Sequence, residues 1–259
     1  MQQVLHRSIH PCVRDSGVPI SDPYLTKQAS PQIDNPMKAI IFDLDGTLID
    51  SMQLWREVDA EFLGKRGITV PENLFEDMPH GNSFIQTADY FRNRFNLPDT
   101  TESIMQEWTT MVREHYSKSV PLKPGVTGLV PWIKEQGILI GLGTSNSYEL
   151  ARIVLTANGI WDYFLTAVTG DMHLKGKPYP DIYIKAAKDL NVSPEDCLVI
   201  EDTLSGINAA KAANMKVFAI YDADADNDRA AIIAAADGHF TSFGEIQSAI
   251  SQLIGAKYE

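Results

Sequence analysis

Lys38-Ala39-Ile40-Ile41-Phe42-Asp43-Leu44-Asp45-Gly46-Thr47 runs a short apolar strand straight into two carboxylates spaced one residue apart. Four consecutive apolar residues, Ala39 to Phe42, suit a strand covered on both faces, and open α/β sheets bind ligands at the carboxyl ends of such strands. Side chains alternate along a strand, so Asp43 and Asp45 share one side of the crevice and Leu44 turns away. Gly46 lets the backbone turn closely beside them. Alone, the stretch also fits an ordinary strand-end turn, where Asp and Gly are common.

A second buried-strand pattern ends in the same way, with Cys197-Leu198-Val199-Ile200 preceding Glu201-Asp202. Carboxylates gathered in one crevice raise one another's pKa unless a cation neutralises them. Hard oxygen ligands favour a hard divalent ion, and a site that also holds phosphate favours Mg²⁺, which keeps waters and takes one or two carboxylates. A purely structural acidic cluster is the competing reading. Two further strand ends supply the complementary groups. Ile138-Leu139-Ile140-Gly141-Leu142-Gly143 ends at Thr144-Ser145-Asn146, whose hydroxyls and amide can donate to phosphoryl oxygens. Leu165-Thr166-Ala167-Val168 leads through Asp171 to Gly176-Lys177-Pro178-Tyr179-Pro180-Asp181, where a lysine can neutralise charge beside the acids. Taken singly, Thr144 reads equally as a helix N-cap and Lys177 as a solvated loop charge. Taken in order on successive strands, they are hard to explain as packing and read as a phosphoryl-transfer site.

These motifs resemble those of the haloacid dehalogenase superfamily, in the branch of phosphoglycolate-phosphatase-like and β-phosphoglucomutase-like proteins. The resemblance runs from about Met37 to the C-terminus and rests on Asp43 to Thr47 as DxDGT, Thr144, Lys177 within GKPYPD, and Glu201-Asp202 within EDTLSG. It implies a doubly wound parallel α/β core with a small inserted helical cap. It also implies a Mg²⁺-dependent phosphatase that works through an aspartyl-phosphate. Asp43 is then the nucleophile, and Asp45 protonates the leaving alkoxide and later takes a proton from water. Mg²⁺ falls to Asp43, Asp45 through its backbone oxygen, and Asp202, with Glu201 binding directly or one step removed. Thr144 and Lys177 hold the transferring oxygens, with Ser145 and Asn146 assisting from the same loop. A complete acid pair together with Glu201-Asp202 favours phosphate over halide.

Composition agrees. The chain has 259 residues, 44% of them hydrophobic, enough for a sizeable core in one or two domains. A formal charge of −12, from 34 acidic and 22 basic residues, argues against a nucleic-acid partner and offers no basic patch for a membrane. Cys12 and Cys197 lack disulfide-framework or zinc spacing, which fits a reducing cytoplasm. No apolar run approaches the roughly 18 residues of a membrane span. A small phosphorylated metabolite is the expected partner, and a monomer or weak homodimer the expected state. Two decoys fail. Gly141-Leu142-Gly143-Thr144-Ser145-Asn146 has Asn146 where a dinucleotide fingerprint needs its third glycine. Asp222, Asp224 and Asp226 open like a calcium loop, but Asn227 and Ile233 occupy the required glycine and glutamate.

Residues 1–36, with prolines at 11, 19, 23, 31 and 36 and no apolar period, read as a disordered tail. Residues 37–50 and 121–259 alternate strand and helix as a catalytic core. Residues 51–120 show no buried strand but helical patterns in Trp55, Val58, Phe62 and in Phe84, Ala88, Phe91, Phe95, broken at Pro71, Pro79-His80-Gly81 and Pro98. This is where the family carries its cap, and Trp55, Arg56, His80 and Asn82 are its candidate substrate contacts. β-Phosphoglucomutase-like proteins carry a linker histidine and a Lys-Gly-x-x-Arg loop. Trp55 and His80-Gly81-Asn82-Ser83-Phe84 stand at those places here, which disfavours the mutase. A phospho-receiver module, the reading from another class, has its acceptor on a middle strand and no such insertion.

Overall fold

The computed structural model describes residues 37–75, 78 and 83–255. The expected tail, together with His80 and Asn82, lies outside the described residues. The chain begins with β1 (Ala39–Phe42) and then runs through three helices, α1 (Met52–Gly64), α2 (Phe84–Arg94) and α3 (Thr101–Lys118). After α4 (Val126–Glu135) come β2 (Leu139–Gly143), α5 (Tyr148–Ala157), β3 (Thr166–Val168), α6 (Asp181–Asp189), β4 (Cys197–Glu201) and α7 (Leu204–Ala212). It closes with β5 (Lys216–Ile220), α8 (Arg229–Ala235), β6 (Gly238–Phe240) and α9 (Phe243–Gly255).

The strands form one sheet in the order β3-β2-β1-β4-β5-β6, every pair parallel. The apolar strand runs follow from burial on both faces. Ile40, Phe42, Leu142, Leu198 and Ile200 point into one core, which α4, α5 and α9 cover. Ala39, Ile41, Val199, Val217 and Ala219 point into the other, beneath α6, α7 and α8. This is the doubly wound parallel architecture the sequence indicates. The stripe of Val126, Leu129, Val130 and Ile133 is buried as its helical period requires. β6 carries no apolar run, since Gly238-His239-Phe240 is only half-buried at the sheet edge, so nothing in its composition announces a strand.

The helices α1 to α3 pack on one another through an aromatic cluster, with Phe91 and Trp108 ring centroids 5.0 Å apart and Phe62 and Trp108 5.4 Å apart. Their chain leaves and rejoins the sheet at adjacent points. The Asp50 N–H donates to the Pro121 carbonyl at 3.1 Å, and the Lys123 N–H to that of Leu48 at 2.9 Å. Among the described residues no helix is long and apolar enough to cross a membrane.

Candidate active site

From β1 the chain proceeds to β2 and β3 on one side and returns to β4 on the other, so the strand order reverses beside β1. Ligands of open α/β sheets bind at such a switch point. Phe42 is in register with Leu142 and with Ile200, which brings Asp43 abreast of Gly143 and Glu201 at the carboxyl edge, with Thr144 one residue further along β2's exit. The Asp43 N–H continues the ladder to the Ile200 carbonyl at 3.0 Å, and the Thr144 N–H reaches that of Val168 at 3.0 Å.

Lys177 lies between two acids. Its Nζ donates to Asp43 Oδ1 at 2.5 Å and to Glu201 Oε1 at 2.7 Å, and the residue is only 3% exposed, so it is no solvated loop charge. Glu201 is saturated with donors. Oε1 also accepts from the Tyr183 hydroxyl at 3.3 Å, and Oε2 accepts from the backbone N–H of Asp202 at 2.7 Å, the N–H of Thr203 at 2.6 Å and the Thr203 hydroxyl at 3.0 Å. Gly206 makes this possible, because a Cβ there would sit 1.7 Å from Glu201 Oε1. Of the two places expected for Glu201, directly on a metal or one step removed, these bonds to Lys177 and the β4–α7 turn favour the second. Asp202 is buried and, among the described residues, accepts only from the Thr47 hydroxyl, at 2.6 Å on Oδ1. Its Oδ2 fits against Gly46, whose φ of +79° suits glycine and whose absent Cβ would lie 2.3 Å away.

Asp43 and Glu201 thus share one ammonium, with Asp202 buried beside them. Burial pushes Asp43 up to about 7, against the pull of Lys177 and with the help of Glu201. Burial, then the charges of Glu201 and Asp43, hold Asp202 well above the usual carboxylate range. Burial disfavours the Lys177 ammonium, yet Asp43 and Glu201 outweigh it and raise Lys177 well above its ordinary value. Among the described residues no three His, Cys, Asp or Glu side chains form a closed metal cage. The acidic excess nonetheless suits a divalent ion that takes two carboxylates and keeps much of its water, as Mg²⁺ does. Asp43 and Asp202 are the side chains free to serve it.

Asp45 is held differently. It accepts from the Ser51 hydroxyl at 2.7 Å, the Trp55 indole N–H at 3.0 Å, the Asn146 amide at 2.9 Å and the Tyr116 hydroxyl. Trp55 and Asn146, read from sequence as substrate contacts, direct these donors at Asp45. Ser51 and Tyr116 escaped that reading. Tyr116 follows Trp108 and Val112 at four-residue spacing on α3, which is indistinguishable from core patterning. Thr144 is not the helix cap, since Ser147 caps α5 by accepting from the Leu150 N–H at 3.4 Å. Arg56 lines the cavity beside the site, its guanidinium paired with Asp224 and with Gln53 at 2.6 Å.

Asp43, Asp45, Thr144, Ser145, Asn146 and Lys177 line the floor of one cavity of about 380 Å³, within the range of small-molecule clefts. Its walls come from α1, α2 and α3, including Met52, Trp55, Asp59, Phe84 and Trp108. An acidic pair, a lysine and a hydroxyl at the reversal point of a parallel sheet, under an apolar roof, define an α/β enzyme of phosphoryl chemistry. A family model described as "Haloacid dehalogenase-like hydrolase" matches residues 40–220. Hexitol phosphatase B of Escherichia coli (strain K12) is 30% identical over 203 residues, 76% of this chain and 89% of that protein. β-Phosphoglucomutase of Bacillus subtilis (strain 168) is 33% identical over 194 residues, 69% and 81% of the two chains. Among solved structures, CbbY of Rhodobacter sphaeroides in complex with phosphate superposes with a TM-score of 0.72 at 25% identity, covering 81% of this chain and 96% of that one. The chain belongs to the haloacid dehalogenase-like hydrolase family, in the branch that holds phosphatases and β-phosphoglucomutases.

Proposed function

We propose that the chain is a Mg²⁺-dependent phosphatase that hydrolyses the monoester of a small phosphorylated metabolite, such as a sugar phosphate, through an aspartyl-phosphate on Asp43. The observation that carries the reading is the division of labour between the two acids of one turn. Asp43 is bonded to Lys177 at the sheet edge, whereas Asp45 is held apart by four neutral donors.

In the first step an Asp43 carboxylate oxygen attacks phosphorus in line, and the bond from phosphorus to the ester oxygen breaks. The departing alkoxide takes a proton from Asp45. In the second, Asp45 takes a proton from water as its oxygen attacks the acyl phosphate, which releases inorganic phosphate and restores the Asp43 carboxylate. Lys177 and the Thr144 hydroxyl hold the transferring oxygens where charge accumulates. Ser51, Trp55, Tyr116 and Asn146 fix the position of Asp45 between its two duties. Asp43, Asp202 and the backbone oxygen of Asp45 would hold Mg²⁺, whose charge offsets the acidic excess and lets a carboxylate approach a phosphate dianion. Residues 51–120 act as a cap that excludes water and orients the ester.

A sugar phosphomutase is the second reading, favoured by the likeness to β-phosphoglucomutase. A mutase must hold an intermediate bearing two phosphates, and the distal one needs a cation. Among the described residues, the cations lining the cavity are Lys177, bonded to Asp43 and Glu201, and Arg56, paired with Asp224. That arrangement favours water as the acceptor. The test is phosphate release from a panel of phosphorylated metabolites, with Mg²⁺ or with EDTA, by the native chain and Asp43→Asn. Metal-dependent release abolished by the substitution is expected. Isomerisation of glucose 1-phosphate without release would establish the mutase instead.

A further inference from the structure

The first few N–H groups of a helix have no partner inside it. At the start of α2 part of this need is met locally, by a capping box in which the Gln86 N–H donates to Ser83 Oγ at 3.3 Å and the Ser83 N–H donates to Gln86 Oε1 at 3.2 Å. The rest is met by the loops that carry the catalytic groups. The Phe84 N–H donates to the Ser145 carbonyl at 2.8 Å, in the loop that leaves β2, and the Ile85 N–H reaches the Gly170 carbonyl at 3.5 Å, in the loop that leaves β3. The fit is close, because a Cβ at Gly170 would sit 1.8 Å from the Ser145 carbonyl oxygen and 2.6 Å from the Phe84 nitrogen. Gln86 adds a third tie. Its Oε1 also accepts from the N–H of Gly176 at 3.1 Å, and Gly176 is buried and immediately precedes Lys177.

We infer that Gln86 is a positioning residue for Lys177: its amide oxygen fixes the backbone that delivers the ammonium to Asp43, so that the first turn of α2 and the Lys177 loop are set together. A buried N–H deprived of its acceptor bears the full cost of its desolvation, which drives the backbone at Gly176 to move toward another partner. Lys177 has little latitude for such a move, since its Nζ serves Asp43 at 2.5 Å and Glu201 at 2.7 Å at once. A displacement of about 1 Å can cost about 100-fold in rate. Gln86 acts from outside the substrate space. The cavity takes Phe84 and Thr87 from this turn, whereas the Gln86 oxygen is turned to Ser83 and Gly176. Its loss therefore weakens the chemistry of every ester alike and not the recognition of any one. The rates that show this rest on the phosphatase reading, while the tie to Gly176 can be read without turnover.

The test uses the full chain with Mg²⁺ and p-nitrophenyl phosphate beside a sugar phosphate. Gln86→Met keeps the length of the side chain and its helix propensity but accepts no hydrogen bond. Gln86→Glu keeps the acceptor, and Ser83→Ala breaks the same capping box while leaving the bond to Gly176 in place. Each is checked for a native circular dichroism spectrum. Gln86→Met is expected to lower kcat about tenfold or more with KM little changed, and by the same factor within about twofold for both esters. Gln86→Glu is expected to recover to within about threefold of the native kcat, and Ser83→Ala to lose less than about threefold. Equal losses in Gln86→Met and Ser83→Ala would mean that Gln86 only stabilises α2, and a loss confined to one ester would mean that it touches substrate. Either result overturns the inference and leaves the phosphatase standing, as does a Gln86→Met enzyme within about twofold of native. Hydrogen–deuterium exchange of the peptide containing Gly176 reads the tie even if no ester is turned over. Exchange at least about fivefold faster in Gln86→Met than in Ser83→Ala or the native chain supports the inference, and exchange no faster than in Ser83→Ala overturns it.

Discussion

At the scale of single residues, Lys177 is the charge on which the site's balance turns. Its buried ammonium offsets Asp43 and Glu201, so its removal leaves two buried carboxylates with no neutralising charge between them. Breaking a buried pair from one side costs on the order of 3–5 kcal/mol, and Lys177→Met is expected to lose about that much in urea unfolding as well as its activity. A variant that unfolds like the native chain would contradict this. Asp59 gives a pH-dependent counterpart. Its folded pKa is raised by burial from 3.8 to about 7, so between those values the unfolded chain has released a proton that the folded chain still holds. Folding then takes up a proton, and this group's contribution to stability is lost as the pH rises through that window. Asp59→Asn is therefore expected to melt higher than the native chain at pH 8, with the difference vanishing below about pH 4. Melting curves across that range decide it, and a difference that does not change with pH would count against the burial argument.

At the scale of elements, the β4–α7 turn and helix α3 each place one part of the machinery. The turn wraps Glu201 in three donors of its own and leaves no room for a Cβ at Gly206. Gly206→Ala is expected to displace Glu201, to cost about 1–3 kcal/mol of overpacking strain and to lower kcat by loosening Lys177. Denaturation and steady-state rates measured on one preparation test both effects. Helix α3 delivers the Tyr116 hydroxyl to Asp45. Tyr116→Phe is expected to lower kcat about tenfold with little change in KM and to shift the limb of the pH–rate profile that reports the acid–base group. An unshifted profile would show that Tyr116 merely packs. These elements also show where sequence reading stops. Asp43, Thr144, Lys177 and Glu201-Asp202 were legible because each follows an apolar strand in a residue type that packing does not call for. Tyr116, which donates to Asp45, was not, because an aromatic residue on an amphipathic helix carries no mark of the face it presents until the helices are packed together.

At the scale of the whole molecule, five of the six strands are apolar runs in the sequence, the fifth being Val217-Phe218-Ala219-Ile220, and their alternation with helices gives the doubly wound sheet. The sixth, Gly238–Phe240, is an edge strand with one covered neighbour and lacks the composition that burial on both faces imposes. What no strand pattern contains is the order β3-β2-β1-β4-β5-β6, and this order puts the reversal beside β1 and so brings Asp43 between Thr144 and Glu201. The central claim is that this convergence makes Asp43 the atom donor to phosphorus. The most direct measurement is acid-quenched intact-protein and peptide mass spectrometry of the native chain during turnover of a phosphate ester with Mg²⁺. The account expects one phosphoryl group on the peptide that contains Asp43, labile at alkaline pH as an acyl phosphate is, and none on Asp43→Asn. Steady release of phosphate with no phosphoryl adduct on Asp43, or with the adduct on another residue, would contradict it.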